Sequence, residues 1–295
     1  MKRKIINTII LTFIALGMNH LTGDDTFAQK QVDVEYQAGG GTRLESRMLY
    51  HDGQVMARTS NVYLIWYGDW GSRPATKSVL EHFIISIGGS SYSRINFTYP
   101  DFNGNAPSGG LVYGGSADDL YSRGSTLSEG DVEGVVSDML ASGALPLDTR
   151  GIYLVLATPD ITATGFCIDR CQYHNALIHL GTHMKYAFVG NPDRCPASCA
   201  PQFANGVVPP NGDRAGDAMA SWMAHVVNEI VTNPVGNGWF DRYGLENSDK
   251  CIGKFGEMYL TSNGGLANMR LGGRDYLIQQ NWVNARKGYC SLSYP

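Results

Sequence analysis

The stretch NVYLIWY, residues 61–67, carries apolar side chains on both of the faces that a β-strand presents. A strand covered on one side alternates apolar with polar residues, whereas one covered on both sides does not. Residues 61–67 therefore read as a central, doubly covered strand, and IYLVLA at 152–157 reads the same way. Between them lie two helical patterns. Val79, Leu80, Phe83, Ile84 and Ile87 recur at helical spacing over 77–88, and Gly88-Gly89 ends the run. Ser128 is a suitable N-cap for a helix from Glu129 to Ser142, with Val132, Val135, Val136, Met139 and Leu140 as its apolar stripe and Gly143 as its stop. Strands alternating with helices predict one three-layer α/β domain with a mixed sheet.

The remaining segments extend this plan. Residues 94–99 are expected to form a strand, followed by a polar loop through Gly110 and a short strand at Leu111, Val112 and Tyr113. Tyr186 to Val189 reads as a strand, 195–214 as loop, 215–232 as a helix, and Asp275 to Gln279 as a last strand. The Gly88-Gly89-Ser90 and Gly114-Gly115-Ser116 triplets read as turns. No G-x-S-x-G, Walker loop or dinucleotide fingerprint is present, so neither serine hydrolysis nor nucleotide chemistry has support.

A chain of 295 residues, 43% of them apolar, can bury a substantial core. A net charge of −4 without dense Lys/Arg runs excludes nucleic acid as the expected partner. Lys2, Arg3 and Lys4 before an apolar run from Ile5 to Met18 predict a signal peptide over 1–28, with the mature domain at 29–295. That run is short for a membrane span, so no integral membrane association is expected. All six cysteines, Cys167, Cys171, Cys195, Cys199, Cys251 and Cys290, follow it. In an oxidising compartment they read as disulfides, with the C-x-x-x-C spacings favouring Cys167–Cys171, Cys195–Cys199 and Cys251–Cys290. A four-Cys zinc site from the two C-x-x-x-C pairs is the rival reading. Asn96-Phe97-Thr98 is a glycosylation sequon.

The chemistry concentrates in SWMAHVVNEIVTNPVGNGWFDRYGLENSDKC, residues 221–251. His225 and Glu229 stand one helical turn apart on one face, and Glu246 and Asp249 follow from a loop. A His and a carboxylate at i and i+4 with a third acid from a loop is a pattern of zinc-hydrolase sites. The expected ion is zinc, although one His with two acids also suits harder metals. The bland reading is an ordinary His–Glu i,i+4 pair. The position after the first His, where such enzymes place their general base, is Val226. Asp217, Asp241 and His183 are the unassigned groups that would have to replace it. His174, His179 and His183 have no tidy helical or strand phase and read as solvated or core histidines. Trp66 and Tyr67 read as core, while Trp70 and Trp239-Phe240 are the rings expected near a surface or cleft wall.

MLYHDGQVMARTSNVYLIWYGDW (48–70), YLVLATPDITATGFCIDRC (153–171), FVGNPDRCPASC (188–199), VTNPVGNGWF (231–240) and GGRDYLIQ (272–279) occur in the order found in the phosphate-induced protein 1, or exordium-like, family, which the chain resembles over roughly 46–295. The resemblance implies a secreted, cell-wall or extracellular protein on a zincin-like scaffold, and no established reaction. It also implies an inherited metal cleft, since microbial relatives carry His-Glu-x-x-Glu in the helix before the T-N-P turn. His225 and Glu229 match the outer positions, Glu246 and Asp249 match the acid-rich segment, and Val226 departs. The expectation is therefore a binding or signalling module for wall polysaccharide or an extracellular protein or peptide, with no catalytic residue assigned. The alternative is a zinc metallopeptidase with a degenerate site.

Overall fold

In the computed structural model, which describes residues 47–295, the core elements follow in the order β1 (Ser60–Tyr67), α1 (Pro74–Ile87), β2 (Leu111–Asp119), α2 (Glu129–Ala141), β3 (Gly151–Ala157), β4 (Gln172–His179), β5 (Thr182–Val189) and α3 (Arg214–Thr232). The leader expected at 1–28 and the first part of the mature domain lie outside the described residues. One five-stranded sheet has the order β2-β1-β3-β5-β4, parallel except for β4, which runs antiparallel to β5.

The double coverage read from β1 and β3 is met on both faces. Val62, Leu64 and Trp66 of β1 and Ile152, Leu154 and Leu156 of β3 pack in one cluster with α1 and α3 residues such as Leu80, Phe83, Met223 and Val227. Tyr63, Ile65, Tyr67, Tyr153, Val155 and Ala157 pack in the other with Val132, Val135 and Val136 of α2. Each such side chain contributes roughly 1.5–3 kcal/mol on burial, which makes these strands the most strongly specified part of the chain. The Ser128 cap is present, and it forms a full capping box with Asp131.

Several local readings change. Residues 94–99 do not form a strand; Ser93–Thr98 is a 3-10 helix, because Ser93 Oγ donates to the carbonyl of Ile87 and Thr98 Oγ1 to that of Ile95, tightening the backbone locally. Gly114-Gly115-Ser116 is not a turn but the middle of β2. A side chain at Gly114 would strike the Tyr63 ring, and Gly115 has φ +125° at the register shift. The 195–214 segment holds two short helical turns, Pro196–Cys199 and Pro201–Gly206. Arg274–Tyr276 pairs with Met269–Leu271 in a separate hairpin and adds nothing to the main sheet. Trp70 is buried, its indole Nε1 donating to the carbonyls of Tyr67 and Leu156. Asn96 is also buried, donating its amide to Asn228 Oδ1, so the sequon presents no accessible acceptor in the folded protein.

The cysteines pair as Cys167–Cys195, Cys171–Cys199 and Cys251–Cys290. The two local bridges and the four-Cys zinc site are thus replaced by a pair of crossed links, each spanning 28 residues of sequence. In the helical turn Pro196–Cys199, positions four apart share one face, so Cys195 and Cys199 both turn toward the 167–171 segment. Once formed, each such link constrains the unfolded chain by on the order of 3 kcal/mol, although the longer loop costs more entropy to close than a local bridge would, so folded geometry selects the pairing. Non-reducing trypsin digestion, cutting after Arg170, Lys185 and Arg194, is expected to release the 151–170, 171–185 and 195–214 peptides as one disulfide-linked cluster. Recovery of 195–214 with an internal bridge would refute the crossed pairing.

Candidate metal centre

The site is built around α3. Asp213 caps the helix by accepting from the Gly216 N–H, and Asn233-Pro234 ends it. Nearly all of its residues are buried, polar ones included. His225 and Glu229 stack on one face, with His225 Nε2 and Glu229 Oε1 2.7 Å apart. Val226 is fully buried in the cluster with Met223, Val227 and Ile230, and it does not line the neighbouring cleft.

The loop after the helix is fastened to it by buried polar groups. Asn247 donates to the Asn228 carbonyl and to Asn96 Oδ1, and Ser248 Oγ donates to the His225 carbonyl. Gln279 Nε2 holds the Ser248 carbonyl at 2.9 Å. Behind them, the buried Lys250 Nζ donates to Asp241 Oδ2 at 3.0 Å. With 247 and 248 fixed, Glu246 and Asp249 each come within reach of Glu229. Asp249 Oδ1 lies 3.4 Å from His225 Nε2 and its Oδ2 accepts from the Glu246 N–H.

Glu246 goes to a different histidine. His174 Nε2 of β4 meets Glu246 Oε2 at 2.8 Å, while Asn233 Nδ2 donates to Glu246 Oε1. Two sets of three result, His225–Glu229–Asp249 and His174–Glu229–Glu246, with the ligand atoms of each set within 4.8 Å of one another. Of the four expected metal residues, His225, Glu229 and Asp249 form one set and Glu246 belongs to the other. His174 was missed by the sequence reading. Strand alternation offers a weak signal, since the even positions of β4 face the α3 side while Tyr173 and Leu177 face α2, but nothing in the sequence pairs His174 with Glu246. His179 sits 3.4 Å from Ser137 Oγ and His183 is exposed. Asp217 is engaged by Asn211 and Asp241 by Lys250, so none of the substitute bases reaches the site.

The electrostatics are strained without a cation. Burial would lower the His174 pKa, but the adjoining Glu246 carboxylate outweighs it and raises it to about 9. Burial likewise opposes charge on His225, and Glu229 and Asp249 reverse that, raising it. Burial also pushes the Glu229 carboxyl up against the pull of His225, with Asp249 adding repulsion. For Asp249, burial is overcome by His225 and the Glu246 N–H, which hold its carboxyl below the usual range. His225 Nε2 and Glu229 Oε1 nevertheless lack hydrogen-bond geometry toward any partner, although both atoms are buried. Two buried ligand atoms converging without a hydrogen bond fit a cation better than an ordinary ion pair. As oriented, Gln279 Nε2 approaches His225 Nδ1 at 3.2 Å. In this orientation Nδ1 accepts and a neutral ring carries its proton on Nε2, facing Glu229; ligation through Nε2 would require the amide reversed and its hydrogen bond to the Ser248 carbonyl given up.

His225 and Asp249 face a cleft of about 460 Å³. Its walls include Ile168, Arg170, Gln172 and Cys171 from the disulfide-linked segment, Trp222 of α3, and Phe255 and Gln279. The Trp222 indole is fixed by a 2.7 Å bond from Nε1 to the Cys199 carbonyl, and its ring lies 5.7 Å from that of His225. Trp239 and Phe240 do not line this cleft; Trp239 packs instead on Tyr50 and Tyr99.

The His174–Glu246 pair generates a pH test. A histidine pKa raised on folding contributes stability that is complete below its unfolded value of 6.5 and is lost as pH rises through about 9. Chelator-treated protein is expected to lose stability over that window in urea unfolding, His174 contributing on the order of 3 kcal/mol beside a further part from His225, and His174→Gln is expected to reduce the dependence without abolishing it. An unchanged slope in the variant would show that this pair does not titrate as described.

The model of the phosphate-induced protein 1 conserved region matches residues 48–279, a span that includes all five site residues. The chain is 32% identical over 271 residues to the Arabidopsis thaliana protein EXORDIUM-like 5, covering 79% of this chain and 74% of that protein. It is 31% identical over 281 residues to EXORDIUM-like 3 of the same plant, covering 83% and 82%. It is 28% identical over 240 residues to PHOSPHATE-INDUCED 1 of Nicotiana tabacum, covering 72% and 74%. No solved structure matches. With the family model spanning most of its length and the whole candidate site, the chain belongs to the phosphate-induced protein 1 family.

Proposed function

We propose that this chain is a secreted, extracellular binding protein whose cleft holds a divalent cation, with zinc the expected ion, on a metallopeptidase-like scaffold that binds without cutting. The observation that carries the reading is the convergence of His225 Nε2 and Glu229 Oε1 at 2.7 Å, both buried and neither hydrogen-bonded, with Asp249 at the cleft floor beside them. A divalent ion there would supply a Lewis-acid contact for a ligand oxygen. The chain's own groups supply the rest. Trp222 and Phe255 offer apolar faces, and Gln172 and Gln202 offer amides suited to the hydroxyl or peptide groups of wall polysaccharide or an extracellular peptide. Three disulfides, which persist in oxidising compartments, support an extracellular role.

The binding reading is preferred to hydrolysis because Val226 is sealed in the core and Asp217 and Asp241, which would have to replace it, are engaged elsewhere by Asn211 and Lys250. Metal analysis of purified protein is expected to find a divalent ion that His225→Ala loses. Absence of stoichiometric metal in the wild type would overturn the cation reading. Val226→Glu would bury an unpaired carboxylate, so it is expected to cost about 3 kcal/mol or more of stability and to yield no peptidase. Proteolysis of a peptide library by a well-folded Val226→Glu variant would favour an eroded enzyme instead.

A further inference from the structure

We propose that the centre holds two divalent ions bridged by Glu229, with His225 and Asp249 completing one half and His174 and Glu246 the other. The inference rests on the cation reading above and extends it to a second site. Glu229 is the one carboxylate common to both ligand sets. A carboxylate has two oxygens, and a shared carboxylate is a standard way to hold two ions about 3.5–4 Å apart. Each half then has one imidazole and two carboxylates, a donor set suited to zinc or manganese.

In the half built on His225 the unpartnered buried atoms point to an ion, and the shared Glu229 extends the argument to the other half, where His174 meets Glu246 at 2.8 Å. The unpartnered atoms belong to residues that are almost wholly buried, His225 at 1% and Glu229 at 3% exposure, and both are aimed into the cluster. The loop also sends its acids to different histidines. Asn247 and Ser248, fully buried, fix the backbone so that Asp249 meets His225 and Glu246 meets His174, with Glu229 within reach of both pairs. Protonated His174 and His225 can offset much of the carboxylate charge without an ion, and two metal-bound arrangements are also neutral. Three carboxylates are balanced by one divalent ion plus a protonated His174, or by two divalent ions and one anionic oxygen ligand. The second lets His174 serve as a neutral ligand, its proton being released on binding.

The two arrangements are separated by stoichiometry. Chelator-treated full-length chain would be titrated with Zn²⁺ and, separately, Mn²⁺, and read by native mass spectrometry. The expectation is two equivalents for the wild type, one for His174→Gln or Glu246→Gln, and loss of both for Glu229→Gln. Manganese-loaded wild type is expected to show an exchange-coupled EPR pattern that His174→Gln converts to an isolated-ion signal. One equivalent in the wild type overturns the two-ion centre and leaves the cation reading standing. No bound ion overturns both. Retention of two equivalents by folded His174→Gln or Glu246→Gln places the second ion elsewhere and overturns the proposal. Because Glu246→Gln preserves shape and the wild-type count needs no variant, a misfolded His174→Gln does not shield the proposal from these outcomes.

Discussion

A buried helix with a polar stripe has to find partners for that stripe, and much of the C-terminal half of this protein is arranged to provide them. Asn228, His225, Glu229 and Thr232 are all carried by α3 where water is excluded. Leaving any of them unpaired would cost on the order of 1–3 kcal/mol, and more for a charge. Thr232 bonds back to the helix carbonyls, and Asn228 is answered by Asn96 and Asn247. The loop that supplies Asn247 and Ser248 thereby acquires one fixed path, and its two acids are delivered to defined places as a consequence.

The same constraint explains why the cleft sits where it does. The hairpin of β4 and β5 closes the sheet edge and brings His174 toward α3. The crossed disulfides then tie the segment entering β4 to the turn of residues 196–199, whose Cys199 carbonyl orients Trp222. Cleft wall, aromatic ring and ligand cluster are therefore mechanically linked. The floor is held by the Lys250–Asp241 ion pair and by Cys251–Cys290, both below the loop that carries Asp249. This is a preorganised site, and preorganisation suits binding as well as it suits catalysis.

The position after His225 belongs to the core rather than to the cluster. At 226 the side chain packs with Met223, Val227 and Ile230, while His225 and Glu229 on the neighbouring face meet the loop acids. A cluster of three carboxylates and two histidines is costly to keep in a protein interior unless a cation offsets it. In the structure His174 and His225 stand against these acids as the nearest candidates to offset them.

The sequence alone determined the elements whose pattern is set by local burial: the doubly covered β1 and β3, helices α1 and α2 with their stops, and α3 with His225 and Glu229 on one face. These are legible because the periods of strand and helix are short and each run reports the number of layers covering it. The tertiary structure decided whatever depends on residues far apart in sequence. It joined His174 to Glu246 across 72 residues, crossed the disulfides between two C-x-x-x-C segments, and kept Gly114 in a strand because the Tyr63 ring lies over it. It also turned a buried sequon and a loop tryptophan inward. Spacing along the chain fixes which side chains share a face, but which faces meet is set by packing and by the need to satisfy buried polar groups.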